Sequence, residues 1–245
     1  MRSNPVLASS YGSVAPLACR IDPLLSISDP QTVLQVLKDL IGLEYLKPIE
    51  PGKDEICPPY QIQPVSTGHL NLIYLQWEEG LQIINAPPDS IYLMYLVCEG
   101  ATHIQVDRSL KIDCQSDTVA AICCPGQRLV GTTDARGFAL LIGIDRRLID
   151  QGLTDLLGQS PKQAMIFETP IIDLTQELGS SLKQFSQFLW QAATGVVGLS
   201  TVVMEELERA FLACLLKGLP HNHSDLLLHQ GGHPLASYAQ KAQTF

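Results

Sequence analysis

Imidazole and thiol are the side chains with the widest chemical scope in this chain, and their spacing limits what they can do. Of the six histidines, His69 and His103 stand apart among short apolar runs, while His221, His223, His229 and His233 crowd the C-terminal region. A strand-borne iron or manganese site needs a His-x-His pair, a carboxylate and a later histidine, so that imidazole and carboxylate meet the ion from facing walls. His69 and His103 do not supply that set. His103 is expected to bond locally or to touch a ligand. The C-terminal histidines could offer four nitrogens to zinc, but they lie in a polar, glycine-containing run without cysteine or acidic support, so solvated side chains are expected there. The expectation is therefore no metal and no cofactor. Seven cysteines show no Cys-x-x-Cys spacing, which fits reduced thiols in a cytoplasm. Cys123 and Cys124 are neighbours, so along a strand they point to opposite faces and read as packing residues. Neither a Gly-x-Ser-x-Gly elbow nor a phosphate-cradling glycine loop is present, and no catalytic residue is expected.

The aromatic residues are more informative. Tyr60, Tyr74, Trp77, Tyr92 and Tyr95 fall on expected strands, and a mostly apolar cavity with a few polar handles is what a small-molecule site requires. Alternation puts Tyr92, Met94 and Leu96 on one face and Leu93, Tyr95 and Val97 on the other; which face is inward is left open by the sequence. The candidate ligand contacts are Tyr60, Tyr74, Trp77, Tyr92, Met94, His103 and Arg128. Arg128 could pair with a ligand carboxylate or form a surface ion pair.

These residues need strands to hold them. Apolar runs at Tyr60–Ser66, Leu70–Trp77, Gly80–Asn85, Ile91–Cys98, Thr102–Val106, Thr118–Cys123, Leu129–Thr132 and Phe138–Ile144 are separated by Gly, Pro and Asp turn chemistry. About eight strands are expected, enough to close a small antiparallel barrel. Before them, Asp29-Pro30 starts a helix over 30–41 that ends at Gly42, and the proline-rich segment 46–59 is expected to be a connector. After Ile144 the apolar period changes to that of a helix. Helices are expected over 145–157, 174–193 and 200–217, with Leu178, Leu182, Phe185 and Leu189 striping the second and Val203, Leu207, Phe211 and Leu215 the third. These eight residues are the expected seam between two copies of the chain. The organisation is α+β: an N-terminal segment 1–59, a barrel 60–144, a helical dimerisation region 145–218, and a linker 219–245.

Bulk properties narrow the function. Apolar residues make up 46% and charged residues 17%, an ordinary globular balance. The formal charge of −9 would repel a polyanion, and no basic recognition helix appears. No apolar run approaches the roughly 20 residues that cross a bilayer, and the N-terminus lacks a secretory signal.

One stretch carries a resemblance. Strand, Gly100, strand, Leu110-Lys111-Ile112, Asp117, a further strand, Pro125-Gly126, then a strand entering a helix at Asp145-Arg146-Arg147-Leu148 resembles the N-terminal sensor domain of AraC/XylS-type transcription regulators. The likeness runs from about Ser28 to the C-terminus. It implies a cupin-like barrel that binds a small-molecule effector, helices that pair two subunits, a cytoplasmic location, and DNA contact only through a helix-turn-helix domain that would begin near Phe245. Two other readings are a small cupin-like metal-dependent enzyme and a purely structural pairing module.

Overall fold

The computed structural model describes residues 30–49 and 60–230. It begins with α1 (Pro30–Ile41), then β1 (Leu43–Pro48), β2 (Tyr60–Ser66), β3 (Leu70–Trp77), β4 (Leu81–Asn85), β5 (Ile91–Glu99), β6 (Ala101–Val106), β7 (Leu110–Gln115), β8 (Val119–Cys123), β9 (Leu129–Thr133) and β10 (Gly137–Asp145). There follow α2 (Arg146–Leu157), the short β11 (Ile171–Asp173), α3 (Glu177–Ala193), α4 (Thr201–Gly218) and α5 (Ser224–Gln230). The strands form one curled antiparallel sheet in the order β1-β4-β9-β6-β7-β8-β5-β10-β3-β2, with β11 added beside β8.

Strand patterning explains the layers. In β3, β5, β8 and β10 nearly every side chain is buried, which is why runs such as Ile91–Val97 are almost continuously apolar. These strands are covered on both faces. Their odd-facing residues, among them Ile73, Trp77, Leu93, Tyr95, Cys123 and Leu141, join Ile83, Ile104, Ile112 and Leu129 in a concave core that α1 helps to close with Leu37 and Ile41. Their other face, with Tyr74, Tyr92, Met94, Ile122 and Ile142, packs beneath the helices. By contrast β6, β7 and β9 alternate buried residues with half-buried or exposed ones, the mark of strands with one more solvated face.

The helices are set by local chemistry. Asp145 caps α2 by accepting from the Arg147 backbone N–H at 2.8 Å, and Gly158 ends it in a left-handed conformation (φ 66°) that costs a glycine little. Ser200 caps α4 through the Val203 N–H. Leu182, Leu189, Phe211 and Leu215 then bury against the sheet and against each other.

Several expectations need correction. The strand count exceeds eight, because β1, β7 and β11 were not read as strands. β1 occupies part of the expected connector; among the described strands it lies at the edge beside β4, and Pro48 at its end is tolerated there. Residues 50–59 and the zinc-candidate His233 lie outside the described residues. The segment after α4 is not a polar linker throughout: His221 and His223 are buried and α5 follows them. The helical seam is also largely used up within one copy. Leu182, Leu189, Phe211 and Leu215 are buried in the chain's own core, and Leu178, Phe185 and Leu207 are partly so, because the sheet's convex face itself needs covering. Of the eight, Val203 alone is classed as exposed.

Candidate ligand-binding site

Among the described residues, the concave core holds no charged side chain. Its buried polar side chains are Asn85, Thr102, Thr133 and Tyr95, together with the thiols of Cys114 and Cys123, whereas the buried carboxylate Glu208 lies under the helices. Register shows how they are placed. Thr102 of β6 pairs with Thr133 of β9, while Asn85 pairs with Leu129 at the other end of β9, about 13 Å away at the usual strand rise. Trp77 closes the threonine end by donating from Nε1 to the Asp134 carbonyl at 3.1 Å. Thr133 is satisfied, accepting from the Leu81 N–H at 2.8 Å and donating to the Asp134 carbonyl at 3.1 Å.

Tyr95 and Thr102 are different. Tyr95 and Thr102 interact side chain to side chain, a contact that favours the ionised phenol; it falls short of good hydrogen-bonding geometry, and both oxygens are sealed from solvent. Asn85 donates from Nδ2 to the last carbonyl of α1 at a long 3.5 Å, and its Oδ1 is likewise without a partner. Buried polar atoms are nearly always paired because leaving one unpaired costs about 1–3 kcal/mol. Tyr95 and Thr102 are thus a buried hydroxyl pair whose hydrogen-bonding capacity is not fully used within the chain.

Ionisation adds nothing to this interior. Burial pushes the Cys114 and Cys123 thiols up to about 12, so both are neutral and poor nucleophiles. Burial raises the Tyr95 phenol as well.

The expected contacts divide accordingly. Trp77 faces the interior and Tyr60 packs half-buried against it. Tyr74, Tyr92 and Met94 point the other way, under the helices, where Tyr74 stacks on Trp190 at 5.8 Å and the Tyr92 hydroxyl donates to the Met165 carbonyl at 2.8 Å. His103 is exposed between Asp113 (2.8 Å) and Asp134 (3.5 Å), and the hydrogen bond to Asp113 raises its pKa. Arg128 is exposed and faces Glu44 at 3.8 Å. Tyr95 and Thr102, which the structure brings together in the interior, are not among the expected contacts. The alternation of β5 had already separated Tyr95 from Tyr92, and one further fact, that β5 is helix-covered on the Tyr92 side, would have pointed to Tyr95. Among the described residues, no three His, Cys, Asp or Glu side chains converge as a metal-binding group.

Fold and site together define a class: a curled antiparallel sheet with an uncharged, sealed interior and a helical layer on its back. Residues 61–216 match the AraC-binding-like domain family, and the chain belongs to that family. Its fold is that of an AraC-type N-terminal sensor domain. The crystal structure of the AraC-like transcriptional activator CuxR is similar with a TM-score of 0.54 at 11% identity, over 84% of this chain and 76% of that one. KdgF from Halomonas sp. (TM-score 0.31, 15% identity, 38% of this chain and 86% of that one) and the Cnp3 cupin domain of Schizosaccharomyces pombe (0.33, 7%, 46% and 83%) are also similar. No curated protein matches. No described helix is long and apolar enough to cross a membrane.

Proposed function

We propose that this chain is the effector-sensing domain of an AraC/XylS-type transcription regulator, working in the cytoplasm as a homodimer and performing no chemistry of its own. The effector is a small uncharged molecule carrying hydroxyl or carbonyl groups, held in the concave interior against Tyr95 and Thr102 with Trp77 as an apolar wall. The observation that carries this reading is the buried hydroxyl pair of Tyr95 and Thr102, only weakly paired with each other, in an interior where the described residues place no charge. A charged ligand would lose its hydration there with no opposite charge to replace it. DNA contact belongs to a different domain, in keeping with the net charge of −9.

Pairing of two copies uses the outer face of α4. Val203, Leu207, Ala210 and Cys214 lie at helical spacing on one stripe, Val203 and Cys214 are exposed, and Val196 and Val202 beside them are 73% and 68% exposed. Occupancy of the interior would then be passed to the helices through β5, whose residues face the effector on one side and the helices on the other.

The test is thermal unfolding against matched panels of neutral and charged metabolites. A neutral hydroxylated compound should raise the melting temperature, by mass action on the folded state, and Thr102→Val should reduce the rise. Stabilisation by charged compounds alone would overturn the reading, and no stabilisation by any compound would favour a purely structural pairing module.

A further inference from the structure

The C-terminal histidine pair takes no part in the interior site, yet His221 and His223 are among the few buried polar residues, 1% and 6% exposed. After α4 the chain turns at Pro220 and lies antiparallel to the segment 163–168 through a bridge between Phe167 and His221. Backbone bonds fasten it: Glu168 N–H to the Pro220 carbonyl and Asn222 N–H to the Ile166 carbonyl, both 3.0 Å. Asn222 adds its side chain, accepting from the Ile166 N–H at 2.9 Å and donating to the Ala164 carbonyl at 3.0 Å.

The His221 ring sits at the centre. Its Nδ1 accepts from the His223 backbone N–H at 3.1 Å, so that nitrogen carries no proton. Its Nε2 lies 2.8 Å from the Leu216 carbonyl and must therefore hold the proton and donate it. Both nitrogens are used, and the ring is fixed as one neutral tautomer. A second proton could enter only at Nδ1, where it would confront the N–H that Nδ1 now accepts. His223 donates from Nε2 to the Gln163 carbonyl at 3.0 Å, and the His221 N–H bonds the Ser224 hydroxyl at 2.8 Å, where α5 begins.

We propose that neutral His221 is an acid-releasable latch that fixes how the chain leaves the domain: when its ring is protonated, the segment 220–230 detaches from the 163–168 strap. The strap is itself tied to the sheet, by the Tyr92 hydroxyl on Met165 at 2.8 Å and by the Tyr92 ring edge-on to Phe167 at 6.1 Å, with Phe167 in turn edge-on to His221 at 6.4 Å. The latch therefore joins β5 to the segment 220–230, whose placement against the strap is lost in acid.

The surroundings give the sign. Burial lowers the His221 pKa and the neighbouring His223 lowers it further, while the Leu216 carbonyl and Glu168 oppose this; of the described residues these are the groups that act on the ring. A histidine whose folded pKa lies below its unfolded value of about 6.5 contributes stability that is present above 6.5 and is lost as pH falls below it. Each pH unit below about 6.5 weakens the latch by up to tenfold until the folded pKa is reached, a ceiling of about 30-fold near pH 5.

Amide hydrogen exchange on the 245-residue chain, corrected for intrinsic exchange, reads this directly. Protection at Asn222, His223 and Leu227 relative to Leu141 and Ile142 of β10 should fall between about pH 7 and about pH 5, by no more than that ceiling, and His221→Gln should abolish the difference. Unchanged relative protection in the wild type, or the same loss in His221→Gln, overturns the proposal. If that variant does not fold, nitrogen NMR of the wild-type ring decides: a proton on Nε2 and a midpoint below about 6.5 support the latch, and a proton on Nδ1 or a midpoint at or above 6.5 refutes it. The proposal concerns the exit of the chain, and it stands or falls independently of whether an effector is found in the interior.

Discussion

Replacing Tyr95 by Phe should move stability and binding in opposite directions. Tyr95 is 1% exposed, and its hydroxyl has only the poorly aligned contact with Thr102. Phe keeps the ring's packing and removes only the oxygen. In the free protein that oxygen is desolvated and poorly paired, so its removal should stabilise the fold by up to about 1 kcal/mol. For a domain of this size each kcal/mol corresponds to about 2–4 °C, which is well resolved by calorimetry or urea unfolding. In the proposed complex the same oxygen would bond the effector, and losing a neutral hydrogen bond of about 0.5–1.5 kcal/mol should weaken binding by about two- to tenfold. The variant should thus melt higher without effector and gain less from adding it. Destabilisation by 1 kcal/mol or more would refute the reasoning, because it would mean that the hydroxyl is satisfied in the free protein.

Three further outcomes follow from burial and charge. Val203→Glu, on the exposed stripe of α4, should give a folded monomer by light scattering, whereas Phe211→Glu, at a fully buried position, should fail to fold because it places an unpaired charge in the core. Glu208 is 1% exposed, bonded to the Thr67 hydroxyl, and burial raises its pKa, with His69 and Thr67 opposing and Glu205 reinforcing the shift. A raised folded pKa means its stabilising share is present below the unfolded value and lost as pH rises through the folded one. Relative to Glu208→Gln, the wild type should therefore gain stability in urea titrations as pH is lowered towards about 4.5, and an unchanged difference would count against the shift. Gly137→Ala would place a Cβ 2.3 Å from the Glu99 carbonyl oxygen and 2.8 Å from the Trp77 ring, and should cost about 3 kcal/mol in unfolding experiments.

Much of the fold was legible from periodicity. Helix α1 and strands β2 and β3 begin and end where the apolar patterns do, and Asp145 and Gly158 bound α2 as capping chemistry requires. The missed strands differ: β1 is proline-terminated and β11 is three residues long, so neither shows enough alternation to be read alone, whereas β7, LKIDCQ, alternates apolar and polar residues throughout and was legible as a strand. The site was harder. Alternation separated Tyr92 from Tyr95, but only the covering helices decide which is inward, and that is a long-range fact. The same fact misdirected the seam, since the apolar stripes of α3 and α4 serve the convex face of their own sheet before any second copy. The burial of His221 and His223 was invisible because the segment they pack against, at 163–167, lies more than fifty residues away in sequence.

The most direct test of the central claim is NMR of the chain with carbon-13-labelled tyrosine, titrated with the neutral compound that stabilises it most. Tyr95 faces the interior, while Tyr74 and Tyr92 lie beneath the helices, so the ring signals report which side is occupied. The account predicts that the Tyr95 signals shift to saturation with the binding curve while those of Tyr74 and Tyr92 move less. Shifts at Tyr74 or Tyr92 with Tyr95 unmoved would place the effector on the other side of the sheet and contradict it.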